Sequence, residues 1–162
     1  MKILFGFAAA IWLHAQVTVP VAQYNNLRTN ANLEEKILNT SNVNPKQFGK
    51  LFTRKLDGYT YALPLYVPNV SIPGKGAHNV VYVATLHNTV YAFDAENPAE
   101  GEPYWHVTLG PSIPFPPNTM LGYVQPEMGI MGTPAIDVST GNVIRCCDDA
   151  VGQKRGTVFA RA

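Results

Sequence analysis

Residues 79–95, NVVYVATLHNTVYAFDA, hold two β-rich runs in which neither side of the chain looks wet. Successive side chains of a strand point to opposite faces, so a half-buried strand alternates apolar with polar residues. Here Val80, Tyr82 and Ala84 share one face while Val81 and Val83 share the other, and burial of both faces is expected. The surrounding pattern predicts a strand over 50–56, a tight turn at Asp57-Gly58, a strand over 59–67 and a loop over 68–78. Strands over 80–85 and 89–94 follow, joined by Leu86-His87-Asn88, and the run YWHVTL predicts another over 104–109. Four consecutive antiparallel strands are thus expected between residues 59 and 109. Pro64 has no amide N–H, which places its strand at an edge.

Upstream, Asn44, Pro45, Gln47 and Gly49 occupy the cap, first-turn, capping-box and stop positions of one short helical turn. Downstream, a proline-rich loop over 110–131 leads to Thr133-Pro134-Ala135-Ile136, which repeats the pattern of Leu63-Pro64-Leu65-Tyr66 seventy residues later. A second copy of the unit begins there. Repetition explains the doubly apolar strands, because a sheet stacked between two others buries both of its surfaces. Tyr82, Tyr91 and Phe93 are expected to pack between such sheets and Trp105 to fill the groove beside them, each large burial contributing about 1.5–3 kcal/mol. Asp94 is placed to accept backbone N–H bonds from the turn that follows it.

Composition narrows the class. Charged residues are 14% of the 162, with Lys+Arg 12 against Asp+Glu 11, so no basic footprint for nucleic acid exists. The 13 Gly and 13 Pro are scattered and punctuate many short segments, the habit of an all-β chain. Residues 1–16, MKILFGFAAAIWLHAQ, have a basic start, a short apolar run and a small residue at the cleavage position. They read as a secretory signal peptide, with a buried N-terminal helix as the alternative. A secreted or periplasmic protein without a membrane span after cleavage is expected. Cys146 and Cys147 are the only cysteines and are adjacent, so no disulfide can staple distant parts of one chain.

The stretch VYVATLHNTVYAFDAENP, followed by Trp105, resembles the repeat of pyrroloquinoline-quinone-type β-propellers. There a Val-Tyr-Val strand, a turn, a Val-Tyr-Ala-x-Asp-Ala strand and a later Trp recur in each blade. Residues 32–52, NLEEKILNTSNVNPKQFGKLF, are similar to the segment before the first blade in quinoprotein dehydrogenase-like proteins, and the resemblance spans residues 17–141. It implies an incomplete β-propeller: about one four-stranded antiparallel blade, the start of a second, and an N-terminal outer strand. Residues 142–162 carry Arg145, Asp148, Asp149, Lys154, Arg155 and Arg161, and lack the strand pattern. They read as a divergent or disordered tail, such as a shifted reading frame would produce.

Few residues carry chemistry. His78, His87 and His106 fall on a loop, a turn and a strand without metal-ligand spacing, and neither a phosphate loop nor a Gly-x-Ser-x-Gly elbow occurs. No catalytic or metal-binding residue is assigned. Glu127 introduces the next strand, where it either faces a central channel or braces its loop. Cys146-Cys147-Asp148 is similar to the Cys-Cys-Asp of quinoprotein alcohol dehydrogenases, in which adjacent cysteines close a ring beside the quinone. By that resemblance alone, Cys146 and Cys147 are the candidates for cofactor contact, although they follow GTPAID where the family's pair precedes an innermost strand. Three functions are compatible with these features. The first is a secreted scaffold or binding module with no catalysis and no cofactor of its own. The second is an N-terminal part of a quinone-dependent alcohol or sugar dehydrogenase using pyrroloquinoline quinone with calcium, and the third a protein that self-associates through its blade faces.

Overall fold

The computed structural model describes residues 17–99, 101–116, 118 and 126–139, and the backbone of 142–144. Among the described residues there is no helix. Four strands, β1 (Leu65–Ile72), β2 (Gly76–Ala84), β3 (Thr89–Asp94) and β4 (Trp105–Thr108), form one antiparallel sheet in sequential order. β5 (Ile113–Pro114) pairs with β6 (Glu127–Met128), and β7 (Ala135–Asp137) pairs with β8 (Asn142–Ile144). β8 therefore lies within the first residues of the stretch read as a tail; Cys146, Cys147 and residues 1–16 lie outside the described residues.

The register explains the doubly apolar strands. Tyr82 pairs with Leu65 and Ala92, and Val80 with Val67 and Asp94, so Leu65, Val67, Val80, Tyr82, Ala84, Val90 and Ala92 share one face. These residues form one core with Ile130 and Ile136, against which Trp105 and Val107 pack. The second face carries Tyr66, Val81, Val83, Tyr91 and Phe93, and Phe93 is only 1% exposed. Tyr91 stacks on both Phe93 and His106 there, while Tyr82 meets Trp105 on the first face at 5.9 Å between ring centres.

Three expectations need correction. The predicted loop over 68–78 is a hairpin: β1 continues through Pro68 to Ile72 and β2 begins at Gly76. A bulge between Val67 and Val70 takes Pro68 out of the ladder, and Asn69 turns to φ +55 with its N–H bonded to Asn79 Oδ1 at 3.1 Å. The missing proline donor thus leaves no gap. The first strand also starts later than expected, because residues 59–64 belong to no ladder and bend at Ala62.

Residues 50–56 are not a strand of any sheet. Their alternation is real, with Phe52, Arg54 and Leu56 half-buried between exposed Leu51, Thr53 and Lys55. Their backbone, however, finds no ladder. The N-terminal outer strand is overturned with it: the N-terminal contact is a single bridge at the free edge of β1, where Val19 exchanges hydrogen bonds of 2.8 and 3.0 Å with Tyr66. The turn at 44–49 does form, with Asn44 O accepting from Gln47 and Phe48, but it ends after one turn.

The two repeated stretches meet. Leu63 N–H donates to Thr133 Oγ1 at 2.9 Å across seventy residues. Tyr66 N–H bonds Val19 O, and its equivalent Ile136 donates to Pro20 O at 2.7 Å. Their ladders also correspond, Tyr66 opposite Val81 and Ile136 opposite Val143.

Candidate functional site

Polar side chains gather at the two ends of the four-stranded sheet. At the end where β3 finishes, Asp94 is 4% exposed and fully engaged. Its Oδ1 accepts the N–H groups of Glu96 and Asn97 at 2.8 and 2.7 Å, and its Oδ2 accepts the Tyr104 hydroxyl at 2.5 Å and faces His78 Nδ1 at 3.1 Å. Burial pushes the Asp94 carboxyl upward, but the Tyr104 hydroxyl and the two amides outweigh it and hold the group at about 2. His78 turns its other nitrogen to Lys75 O at 2.9 Å, and Lys75 Nζ lies 5.0 Å from the Tyr104 ring centre. This end locks the connection from β3 to β4, as the sequence led one to expect of Asp94.

At the hairpin end, Asp57 receives the hydroxyls of Thr85 at 2.9 Å and Thr89 at 2.5 Å, and Thr89 also meets Thr108 Oγ1 at 3.1 Å. Burial raises the Asp57 carboxyl, whereas the hydroxyls of Thr89, Thr85 and Tyr91 bring it below its ordinary range. Beside it, Glu127 accepts from His87 Nδ1 at 3.0 Å and from the Ser112 hydroxyl. The Glu127 hydrogen bond and charge raise the His87 imidazole above the ordinary histidine value. Two glycines allow this packing: a Cβ at Gly58 would come 3.2 Å from His87 Cβ, and one at Gly129 would come 2.1 Å from Leu86 O.

The order of the three groups decides their chemistry. Nucleophilic catalysis by serine needs an imidazole between the hydroxyl and the acid. Here the acid is in the middle: the Ser112 hydroxyl donates a hydrogen bond to Glu127, and His87 lies on the far side of the carboxylate instead of between the two. Glu127 is a brace that ties the β2–β3 turn to β5 and β6, the second of its two readings. His106 is a stacking partner of Tyr91, and among the described residues no group of three His, Cys, Asp or Glu could hold a metal ion. An open groove of about 270 Å³ between β1 and residues 136–138 is lined by Val67, Val70, Tyr82, Ile136 and Val138, with no charged side chain to orient a polar substrate.

Sequence reasoning missed Asp57, taken there as a turn residue. Its signal was indirect: Thr85, Thr89 and Thr108 interrupt an apolar face with hydroxyls, and buried hydroxyls need an acceptor. The candidate cofactor contacts Cys146 and Cys147 lie outside the described residues. Among the described residues no helix is long and apolar enough to cross a membrane. Neither a protein-family model, nor a curated protein, nor a solved structure matches this chain.

Proposed function

We propose that the chain is a scaffold or binding module of a secreted repeat protein of the pyrroloquinoline-quinone propeller type, without catalysis of its own. One observation carries this reading: the start of the second repeat packs its Ile136 into the first sheet and touches its own equivalent stretch through Leu63 and Thr133. Stacking of repeated sheets is what doubly apolar strands are suited to. The polar residues support it too, since Asp57, Asp94 and Glu127 are each consumed by bracing contacts. Secretion rests on the pattern of residues 1–16.

Adding pyrroloquinoline quinone with calcium tests the proposal. No shift in melting temperature and no bound absorbance band is expected. A saturable shift would instead favour the alternative, an N-terminal part of a quinone-dependent dehydrogenase, which Cys146-Cys147-Asp148 supports through its similarity to that family's motif.

A further inference from the structure

Residues 17–20 lie between the two repeated stretches and are bonded to both. Val19 exchanges backbone hydrogen bonds of 2.8 and 3.0 Å with Tyr66 at the edge of β1, and Pro20 O accepts the Ile136 N–H of β7 at 2.7 Å. Residues 17–22 are half-buried there, so they act as a clip that joins the start of one repeat to the start of the next.

The chain directly after the clip is bent against its own preferences. Among the described residues six non-glycine residues take a positive φ, and four of them fall within residues 23–30: Gln23 at +60, Tyr24 at +82, Arg28 at +54 and Asn30 at +51. The remaining two, Asn69 and Asn88, are asparagines, whose short polar side chain suits that region. In Gln23, Tyr24 and Arg28 the Cβ crowds the following carbonyl without that relief. Strain of this kind persists where the surroundings enforce it. Here they enforce little. The bonds that hold the bend are local, Asn30 N–H to Gln23 O at 3.0 Å, Arg28 N–H to Asn25 O at 2.9 Å and Asn25 Nδ2 to Thr29 Oγ1 at 2.8 Å, while Gln23, Leu27 and Arg28 face solvent.

We propose that two copies of this chain exchange residues 17–22, each seating them on the other's Tyr66 and Ile136, with residues 23–30 straightened between the two bodies. A strained hinge beside a terminal element is the arrangement that invites such exchange. The sequence itself fixes the occupant of the seat. Residues 17–22 of a second copy make the same bonds and the same burial as the chain's own, so exchange keeps every contact of the clip and releases the bend. Because each copy gives what it receives, the assembly closes at two. Leu27 and Leu33, 85% and 87% exposed in the closed chain, lie on and beside the straightened hinge and supply apolar side chains to the new contact between the copies. Exchange of this kind needs nothing from the scaffold reading.

The test reads light-scattering mass and isotope-filtered NMR on the full chain. Wild type refolded at rising concentration is expected to pass from the mass of one copy to that of two. In a sample refolded from mixed isotope-labelled and unlabelled chains, the contact between Val19 and Tyr66 should then appear between a labelled and an unlabelled chain. Gln23→Gly, Tyr24→Gly and Arg28→Gly made together remove the steric cost of the closed bend and should raise the dissociation constant of the two-copy form by about tenfold or more. A mass of one copy at every concentration overturns the proposal. So does a two-copy form in which Val19 meets Tyr66 only within its own chain, since the copies are then joined side by side with their clips in place. A glycine variant that associates as tightly as wild type overturns it as well, because the bend is then not what drives the exchange.

Discussion

Residues 65–108 and residues 17–51 are both well supplied with apolar side chains and asparagines, yet they end in opposite states. In the sheet, Leu65, Val80, Val90 and Phe93 are nearly inaccessible. In the N-terminal arm, Leu27 is 85% and Leu33 87% exposed, and Ile37 and Phe48 also face solvent. The difference is not apolar content but period and pairing. The arm has no run of alternation, and within 23–48 its hydrogen bonds are local, with Asn39, Asn42 and Asn44 bonding residues up to five positions away. Asparagine side chains offer the backbone turns in place of ladders. The sheet's asparagines do the reverse work: Asn79 satisfies the bulge at Asn69 and Asn88 accepts φ +61 in the hairpin turn, so both serve a ladder already in place.

The contrast can be broken most severely at Phe93. Phe93→Ala should cost about 3–5 kcal/mol by urea denaturation, whereas Leu33→Ala in the arm should stay within about 0.5 kcal/mol. Equal losses from the two would erase the distinction. Next comes Asp94→Asn, expected to cost about 2 kcal/mol at pH 7. Because the folded value, about 2, lies below the ordinary carboxyl value, this stability is present above about pH 4 and disappears as pH falls toward 2. Wild type and variant should therefore converge in acid, and parallel curves down to pH 2 would remove Asp94 as the lock.

Gly129→Ala sharpens the boundary of the sheet region, since its new Cβ must displace Leu86 O. A loss of about 1–3 kcal/mol is expected from such overpacking. At the small end lies the His87 brace. Its raised value means that the ion pair's contribution is complete below the ordinary histidine value and is lost as pH rises through the folded one. In Glu127→Gln, the His87 titration followed by NMR should move back down; an unmoved titration would show that Glu127 is not its cause.

Much of the sheet was legible because its signals were local. β3 and the turn at 86–88 fall where the β-rich run of Thr89 to Asp94 and the Leu86-His87-Asn88 connection before it place them. β4 differs by a residue at each end. The hairpin at 68–78 was hidden because Pro68, Pro73, Gly74 and Gly76 look like a loop. A bulge lets a strand carry a proline and the two glycines take φ of +75 and +93. Residues 50–56 show the converse failure, since alternation reports that one side is covered and not that the backbone is paired. Among the polar residues, Asp94 was readable because its amide partners are two and three residues away, while the acceptor role of Asp57 depends on partners 28 and 32 residues distant. Distance along the chain, more than chemistry, separated what could be read from what could not.

The bulge at Pro68 also governs how the molecule can aggregate. An incoming strand seeking to extend the sheet sideways meets Val19 already seated at Tyr66, then a residue with no donor, then a kinked backbone. The opposite margin, β4, offers only four residues. Amyloid-like lateral growth is thus blunted at both margins, which leaves broadside contact as the open direction for one molecule to join another.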